Sequence, residues 1–380
     1  MKRTYFLQQL HSAFNTHPIV AILGPRQCGK TTLSRQYAAS QPDVTFFDLE
    51  DSRDLAKLQD PALALASLKG LVILDEIQRV PELFPILRVL IDQANRQTHY
   101  LILGSASRDL IRQSSETLAG RIEYLELTPF SFQEVGEFEK LWLRGGFPLS
   151  FLANDENTSN RWRKAYIRTF LEKDIPNLGF RIAPETLRRF WMMLAHYHAN
   201  IFNASELGRS FGVAHTTIEH YLDILTGTFM VRRLRPWIEN IKKRQVKAPK
   251  IYFRDSGILH TLLGIETMNH LLSNPKLGAS WEGFAMEEII RAHHAEQEAC
   301  YFWSTHTGAE LDLLLFQNQQ RLGFEFKYSS SPKLTKSMHI ALETLKLDQL
   351  TVITPGNDQY PLTDHIEVFG IEKYIDQQSF

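Results

Sequence analysis

Nine consecutive residues near the N-terminus have the types and spacing of a loop that binds phosphate. They match the pattern G-x-x-x-x-G-K-[ST] and are Gly24, Pro25, Arg26, Gln27, Cys28, Gly29, Lys30, Thr31 and Thr32. The apolar residues 19–23 before them predict a buried strand, and residues 31–37 are compatible with a helix. Strand, loop and helix in this order are the context that the pattern requires.

The residue types in this loop have chemical reasons. Gly24 and Gly29 allow backbone N–H groups to close around a polyphosphate, and the positive end of the following helix faces the same oxygens. Lys30 supplies a positive charge to the terminal phosphates, and the hydroxyl of Thr31 supplies a ligand for Mg²⁺. The nine residues therefore predict a binding site for a nucleotide and Mg²⁺.

A pair of carboxylates follows a second apolar segment. Residues 71–74 form a continuous apolar run that is typical of a central parallel strand, and Asp75 and Glu76 come directly after it. We expect Asp75 to hold Mg²⁺ and Glu76 to orient and activate an attacking water. The alternative is an ordinary pair of solvated carboxylates at the end of a strand.

The elements that must position these groups alternate between strands and helices. The predicted elements are a helix over residues 1–17, strands over 19–23 and 44–49, a helix-permissive acidic segment over 50–69, a strand over 71–74, a helix over 78–95 interrupted by Pro81 and Pro85, and a strand over 100–105. This alternation predicts an α/β fold with a parallel sheet covered by helices on both faces.

Two further residues are candidates for contact with the terminal phosphate. Ser105 ends the strand over residues 100–105, where P-loop ATPases with an extra central strand carry a polar residue that senses this phosphate. Arg121 lies just before a strand over residues 122–127, where a subunit of a ring presents a charge to its neighbour's γ-phosphate and so stabilises the transition state. The alternative for Arg121 is pairing with a local carboxylate.

The middle of the chain predicts two helical regions. Residues 148–200 have a helical pattern, and we interpret them as a lid on the nucleotide. Residues 203–254 predict a winged helix-turn-helix, in which Ser205 caps the first helix and Gly212 makes the turn. The exposed side of the second helix contains no arginine or lysine, which is a poor composition for reading DNA bases.

Basic residues are dense in the hairpin that would form the wing. Between residues 232 and 254 there are nine basic residues and one acidic residue, Glu239. Such a cluster in a nearly neutral chain is typical of contact with the phosphate backbone of DNA, and a merely solvated basic face is the alternative. The predicted DNA-binding residues are Arg232, Arg233, Arg235, Lys242, Lys243, Arg244 and Lys247, and Lys250 and Arg254 complete the cluster.

A second group of carboxylates lies near the C-terminus. Glu282 shares a helical stripe with apolar residues, so it is predicted to face the interior, whereas Glu287 and Glu288 face elsewhere. Asp312 lies on one predicted strand, and Glu325 and Lys327 lie on one face of the next. Three carboxylates and a lysine are what a Mg²⁺-dependent phosphodiesterase needs, although polar residues at strand ends also produce this spacing.

The composition is that of an ordinary globular protein. The 380 residues are 43% hydrophobic and 22% charged, with a formal net charge of −1, and the two cysteines suggest neither a disulfide framework nor a zinc site. No apolar run approaches the length of a membrane helix, and the N-terminus lacks a signal peptide's apolar core. We therefore expect a cytoplasmic protein that does not enter a membrane.

Several stretches together resemble prokaryotic AAA+ ATPases that carry a C-terminal domain of unknown function. These stretches are GPRQCGKTT, LVILDEIQRVP, LILGSASRDL, LAGRIEYLELTPFSFQE, LRGGFP, KIYFRDSGIL, ELDLLL and GFEFK. The resemblance implies ATP as the nucleotide, an AAA+ core, a winged helix and a terminal fold similar to that of restriction endonucleases. It also implies an arginine finger at Arg121. Glu282, Asp312, Glu325 and Lys327 match the PD-(D/E)xK nuclease pattern, although Leu311 stands where that pattern has proline.

The resulting prediction has four regions and one preferred function. The regions are an ATPase core over residues 1–140, a helical lid over 141–200, a winged helix over 201–265 and a nuclease-like α/β domain over 275–380. The preferred function is ATP hydrolysis coupled to remodelling of duplex or branched DNA by a homo-oligomer, which could be a ring. The alternatives are a nucleotide-switched regulator that binds protein partners and an ATP-regulated, Mg²⁺-dependent endonuclease.

Overall fold

The computed structural model describes residues 1–93, 97–105, 114, 116–239 and 245–378, with the side chain of Ser105 excepted. The chain forms two compact units. The first contains residues 1–129 together with 227–229, and the second contains residues 130–226 and 230–380. Within the described residues no helix is long and apolar enough to cross a membrane.

The first unit alternates helices and strands, as predicted. Its helices are α1 (Thr4–Thr16), α2 (Lys30–Ala38), α3 (Ser52–Lys57), α4 (Pro61–Ala66) and α5 (Leu83–Ile91). Its strands are β1 (Ile19–Gly24), β2 (Val44–Asp48), β3 (Gly70–Asp75), β4 (Thr98–Ser105) and β5 (Ile122–Glu126). A 3-10 turn, Ile77–Arg79, directly follows β3 and Glu76.

The five strands form one sheet in the order β2-β3-β4-β1-β5, and all neighbours pair in parallel. Strand β4 lies between β1, which leads into the phosphate loop, and β3, which ends in Asp75. This order confirms the predicted parallel sheet with an extra central strand. The carboxyl ends of β1 and β3 lie at the same edge, so the sheet brings the loop and the carboxylates together.

Helices cover both faces of the sheet. Successive side chains of β1 point to opposite faces, and each set packs against different helices. Ile19, Ala21 and Leu23 belong to an apolar cluster with α5, whereas Val20 and Ile22 pack with residues of α1 and α2. The predicted break at the prolines is confirmed in part. Helix α5 begins after Pro81, but Pro85 lies in its first turn, where the missing N–H costs no helical hydrogen bond.

The second unit has thirteen described helices and a large sheet. Its helices are α6 (Phe132–Val135), α7 (Phe138–Arg144), α8 (Pro148–Phe151), α9 (Glu156–Thr169), α10 (Ile175–Asn177), α11 (Pro184–His196), α12 (Ala204–Phe211), α13 (His215–Gly227), α14 (Ser256–Leu262), α15 (Met268–Leu272), α16 (Leu277–Ala292), α17 (Lys336–Leu345) and α18 (Ile371–Gln378). A π-helix, Phe170–Asp174, extends α9, and a 3-10 turn, Gln297–Ala299, precedes the C-terminal strands.

The nine strands of this unit form a single mixed sheet. They are β6 (Asn200–Ile201), β7 (Val231–Pro236), β8 (Lys250–Phe253), β9 (Cys300–Ser304), β10 (Glu310–Gln317), β11 (Gln320–Phe326), β12 (Gln349–Thr354), β13 (Gln359–Thr363) and β14 (Ile366–Gly370). The order is β13-β14-β12-β11-β10-β9-β7-β8-β6. The hairpin of β7 and β8 therefore continues the C-terminal sheet, because β7 pairs in parallel with β9.

The two helices predicted before this hairpin are α12 and α13, and Gly212 makes the turn between them with φ +69°. The helix cap differs from the prediction. Asn203, rather than Ser205, caps α12, because its side chain accepts a hydrogen bond of 3.1 Å from the backbone N–H of Glu206. The elements thus lie in the order that a winged helix requires, while that assignment stays a prediction.

Candidate functional site

The phosphate loop connects β1 to α2 through two residues with left-handed backbone. Gln27 has φ +61° and Gly29 has φ +104°. No described atom lies within 4 Å of the position that a Cβ of Gly29 would take. The loop therefore curls around open space at the N-terminus of α2, where unpaired backbone N–H groups favour an anion.

Lys30 lies inside this loop. Its Nζ donates hydrogen bonds to the carbonyl oxygens of Gly24 and Pro25, both at 2.9 Å, and the residue is only 7% exposed. The ammonium is thus held next to the place where phosphate oxygens would bind. Phosphate oxygens are stronger acceptors than carbonyls, because they carry charge.

Thr31 and Asp75 meet beside the loop. The hydroxyl of Thr31 donates a hydrogen bond of 2.7 Å to Oδ2 of Asp75, whose Oδ1 accepts the backbone N–H of Glu76 at 3.0 Å. Burial raises the pKa of Asp75 above its usual value, and the hydrogen bond from Thr31 opposes that rise. A hydroxyl and a carboxylate are the hard oxygen donors that Mg²⁺ prefers.

Glu76 has a left-handed backbone, with φ +57°, at the end of β3. The side-chain amide of Gln78 donates a short hydrogen bond to its carboxylate. The guanidinium of Arg26 lies 4.0 Å from Glu76 and 3.5 Å from Glu50. Sequence reasoning placed Arg26 in the loop but missed Gln78 and Glu50. A polar side chain in the turn after Glu76 was the only signal for Gln78.

The two other nucleotide candidates have different outcomes. The side chain of Ser105 lies outside the described part of the chain, so its sensing role stays a prediction. The guanidinium of Arg121 forms two hydrogen bonds with the carboxylate of Asp92, at 2.8 and 2.9 Å, and its side chain is 37% exposed. This is the local pairing that was the alternative, and a role in trans stays a prediction.

The C-terminal candidates lie together on neighbouring elements. Nζ of Lys327 lies 2.7 Å from Glu325 and 3.5 Å from Asp312. Burial is the main cause that raises the pKa of Glu282 to about 7 and that of Glu325 to about 8, and the charge of Asp312 raises both further. The structure therefore brings all four predicted side chains into one carboxylate cluster.

Sequence reasoning missed the cation at the centre of this cluster. Lys250, on β8, places its Nζ 3.4 Å from Glu282 and 3.6 Å from Asp312, and also in contact with Glu310. Burial lowers the pKa of Lys250, but nearby negative charges outweigh this effect and raise it well above its usual value. Tyr252, from the same strand, donates a hydrogen bond of 2.6 Å to Glu282.

The magnesium site expected on Glu282, Asp312 and Glu325 stays a prediction. In the described residues no group of three His, Cys, Asp or Glu side chains is arranged to hold a metal ion. The ammonium of Lys250 lies between the carboxylates of Glu282, Glu310 and Asp312.

Two of the predicted DNA-binding residues form ion pairs within the second unit. Arg232 is buried and pairs with the buried Glu287, with Nε–Oε1 2.5 Å and Nη2–Oε2 3.0 Å. Arg233 pairs with Asp223 at 2.6 Å and with Glu219. Both guanidinium groups are thus engaged with carboxylates of the same unit, and their contact with DNA stays a prediction.

The other five predicted DNA-binding residues divide into two groups. Arg235 and Lys247 are exposed. Lys242, Lys243 and Arg244 lie outside the described residues.

The helical stripe predicted that Glu287 and Glu288 face away from the interior, but in the structure both are buried. Both are 2% exposed. Burial would raise the pKa of Glu287, but Arg232 and Arg254 lower it to about 2. Glu288 pairs with Arg291 at 2.7 Å and accepts the backbone N–H of Phe132. Helix α16 is therefore buried on more than one side, which a single-stripe pattern does not predict.

Comparison with known families agrees with the division of the chain. Residues 16–136 match the family profile of an AAA domain. Residues 135–269 and 277–374 match two domains of unknown function, DUF8612 and DUF4143. The parallel sheet and the loop thus lie within an AAA-type domain, and the nuclease-like interpretation of the C-terminal sheet stays a prediction.

Two mycobacterial relatives are similar over most of their length. The uncharacterized proteins Rv2008c of Mycobacterium tuberculosis and Mb2031c of Mycobacterium bovis are each 49% identical over 360 residues, which cover 94% of this chain and 81% of theirs. The chain belongs to the same family as these two proteins.

Among solved structures, the Walker-type ATPase PABY2304 of Pyrococcus abyssi has a similar fold. Its TM-score is 0.50 at 14% identity, and the match covers 69% of this chain and 95% of that chain. This likeness confirms the predicted P-loop ATPase fold. The RuvB branch migration motor of Thermotoga maritima has a TM-score of only 0.30, with 61% and 90% of the two chains covered at 20% identity, so it supports no inference.

Proposed function

We propose that this protein binds and hydrolyses ATP. The observation that carries the proposal is the hydrogen bond of 2.7 Å between Thr31 and Asp75, beside a loop that holds the ammonium of Lys30. The two residues that would bind Mg²⁺ and the lysine that would bind phosphate lie at the same edge of the parallel sheet. Glu76, which would act on water, is the next residue after Asp75.

The residues of the chain would share the work in a definite way. Lys30 would exchange the carbonyl oxygens of Gly24 and Pro25 for the terminal phosphates, and Thr31 and Asp75 would hold Mg²⁺. When bound, Mg²⁺ neutralises charge on the phosphate oxygens. Glu76 would leave Gln78 to orient a water and take up its proton.

Substitutions at Lys30 and Glu76 separate binding from hydrolysis. Lys30→Ala should weaken ATP binding and abolish hydrolysis, whereas Glu76→Gln should keep binding and lower kcat by roughly 10²-fold or more. Fluorescent ATP titration and phosphate release would measure the two effects. Lys57→Ala is the matched control, because Lys57 is 64% exposed and pairs with Asp54 in the same turn. Unchanged binding and turnover in Lys30→Ala would sink the proposal.

We further propose that DNA is the partner that this hydrolysis serves. The support is the exposure of Arg235 and Lys247 at either end of the basic segment, together with the three further basic residues that the sequence contains between them. The support is narrower than the sequence suggested, because Arg232 and Arg233 are engaged in ion pairs.

The DNA proposal is tested by hydrolysis and binding in the same tubes. Duplex, single-stranded and four-way-junction DNA should bind at low salt, and at least one should raise ATP turnover. The double substitution Arg235→Ala/Lys247→Ala should lower the slope of log Kd plotted against log salt concentration by about 2. Lys173→Ala/Arg181→Ala removes two exposed charges elsewhere in the unit and serves as control. Turnover indifferent to all three DNAs, with none bound, would favour the regulator that binds protein partners.

A further inference from the structure

The carboxylate cluster of the second unit has an internal cation that comes from outside its own strands. Lys250 is on β8, and its Nζ contacts three carboxylates, those of Glu282, Glu310 and Asp312. An ammonium has three N–H donors, so one lysine can serve several carboxylates at once. The Lys250 side chain is only 4% exposed.

Strand β8 supplies this cation together with a hydroxyl. Lys250 and Tyr252 are two residues apart, so both side chains point to the same face of the sheet. Tyr252 donates a hydrogen bond of 2.6 Å to Glu282, while Ile251 between them packs in the apolar cluster on the other side. Two successive side chains on this face of β8 thus complete the cluster.

The position of Lys250 is fixed by backbone pairing. Its Cα lies opposite Leu234 of β7 and Ile201 of β6, and β7 continues into the C-terminal sheet through β9. Neighbouring strands on both sides therefore hold the backbone of Lys250 beside the cluster, within reach of its side chain.

Two ammonium groups lie next to Asp312. Nζ of Lys250 is 3.6 Å from one oxygen of its carboxylate and 3.4 Å from Glu282. Lys327 occupies the other side of Asp312, at 3.5 Å. Two lysines therefore meet the charge of carboxylates that a metal ion would otherwise neutralise.

We propose that Lys250 is a built-in cation that takes the place of a divalent metal ion in this cluster, so that the second unit does not cleave phosphodiesters by a metal-dependent route. This inference does not depend on ATP hydrolysis. It assigns Lys250 a role as positioning residue for the three acids that it contacts, and it argues against the endonuclease alternative.

The test is Mn²⁺ binding to the full chain without nucleotide, measured by the loss of the electron spin resonance signal of free Mn²⁺. Wild type should have no Mn²⁺ site that requires Asp312. Wild type and Asp312→Asn should therefore bind the same amount of Mn²⁺. Lys250→Met should gain one Mn²⁺ site, and Lys250→Met/Asp312→Asn should lose it. Lys333→Met, at an exposed lysine of the same unit, should resemble wild type.

Two results would overturn the proposal. The first is Mn²⁺ binding by wild type that Asp312→Asn removes, because Lys250 would then not exclude a metal. The second is a folded Lys250→Met or Lys250→Gln that gains no Mn²⁺ site. If both Lys250 variants unfold in metal-free buffer, recovery of the cooperative unfolding transition with Mn²⁺ supports the proposal. Failure of Mn²⁺ to restore either variant contradicts it.

Discussion

The guanidinium of Arg232 lies against the carboxylate of Glu287, and the two side chains are 6% and 3% exposed. Arg254 approaches the same carboxylate at 3.6 Å. A buried pair of this kind stabilises little relative to apolar side chains, but removing one partner leaves an uncompensated charge. Removing Arg232 would therefore lower stability mainly because the buried carboxylate of Glu287 would lose its closest ion-pair partner.

We expect Arg232→Met to destabilise the second unit by about 3 kcal/mol, since Glu287 would lose its closest partner. Arg235→Met, two residues further on the same strand but exposed, should change the free energy of unfolding by less than about 0.5 kcal/mol. Urea unfolding followed by circular dichroism would measure both. Equal effects of the two substitutions would contradict the buried pairing.

His260 is a second buried residue with a measurable signature. Its Nε2 is 2.7 Å from Oγ of Ser280, which also accepts the indole N–H of Trp142 at 3.0 Å, and its Nδ1 is 3.1 Å from the carbonyl of Leu143. Burial lowers the pKa of His260 to about 4. The neutral ring, with the proton on Nδ1, satisfies all three hydrogen bonds.

This depressed pKa predicts a pH-dependent stability difference. The unfolded imidazole titrates near pH 6.5, so the contribution of His260 is fully present above that pH and is lost as pH falls toward 4. Between pH 7 and pH 5, the stability advantage of wild type over His260→Gln should shrink by about 2 kcal/mol. Chemical unfolding at both pH values measures this. An advantage that is constant with pH would be inconsistent with a neutral buried ring; His270→Gln, at an exposed site, is the control.

Among the elements, α7 and α14 meet at a close backbone contact. A Cβ on Gly257, in the first turn of α14, would lie 2.0 Å from the carbonyl oxygen of Arg144, the last residue of α7. Asp255 caps α14 by accepting the N–H of Ile258 at 2.9 Å and also accepts the N–H of Gly146 at 2.8 Å. The two helix ends are thus held together through main-chain atoms.

Gly257→Ala should therefore force these helices apart and destabilise the second unit by about 3 kcal/mol. Gly278→Ala is a matched control in α16, because no described atom outside its own helical turns lies within 4 Å of its Cβ position. It should be neutral or stabilising by up to about 1 kcal/mol. Thermal unfolding of the two variants distinguishes the outcomes, and a well-tolerated Gly257→Ala would show that the helix ends can separate.

Features formed by contiguous helices, strands and loops could be predicted from the sequence. The phosphate loop and Asp75 were predicted because strand, loop and helix are contiguous and their residue types follow from local chemistry. The alternation of strands and helices in the first unit was predicted for the same reason. Helix ends were less certain, as Asn203 shows, because two neighbouring polar residues can both serve as caps.

The remaining features depend on pairing between distant parts of the chain. Glu287 lies 55 positions after Arg232, and Glu282 lies 32 positions after Lys250. A count of basic residues does not reveal which of them have buried acidic partners. Sequence therefore predicted the four acidic and basic side chains at the C-terminus but not the lysine that neutralises them, since β8 joins that sheet only through β7.

At the scale of the whole molecule, substitutions at Arg121 test whether one subunit completes the ATP site of another. Its pairing with Asp92 is exposed, so a neighbouring subunit's nucleotide could compete for the guanidinium. If Arg121 acts in trans, Arg121→Ala should lower ATP turnover by about 10³-fold, whereas Asp92→Asn should preserve it. Mixing Arg121→Ala with Lys30→Ala subunits should restore part of the activity.

Turnover of the mixed sample decides between the two roles of Arg121. Activity above that of either variant alone, measured by phosphate release after subunit exchange, requires an intact site of one subunit to receive Arg121 from another. If the mixture has only the average activity of the two variants, and Asp92→Asn has a similar defect, then Arg121 acts through its local ion pair with Asp92 and not in trans.

The division of the chain into units has a topological consequence. Residues 227–229 belong to the first unit although the segments before and after them belong to the second, and Phe229 packs against the apolar cluster that contains β1 and α5. The polypeptide thus passes between the units three times. A single proteolytic cut after Pro129 would therefore leave residues 227–229 of the first unit covalently attached to the second.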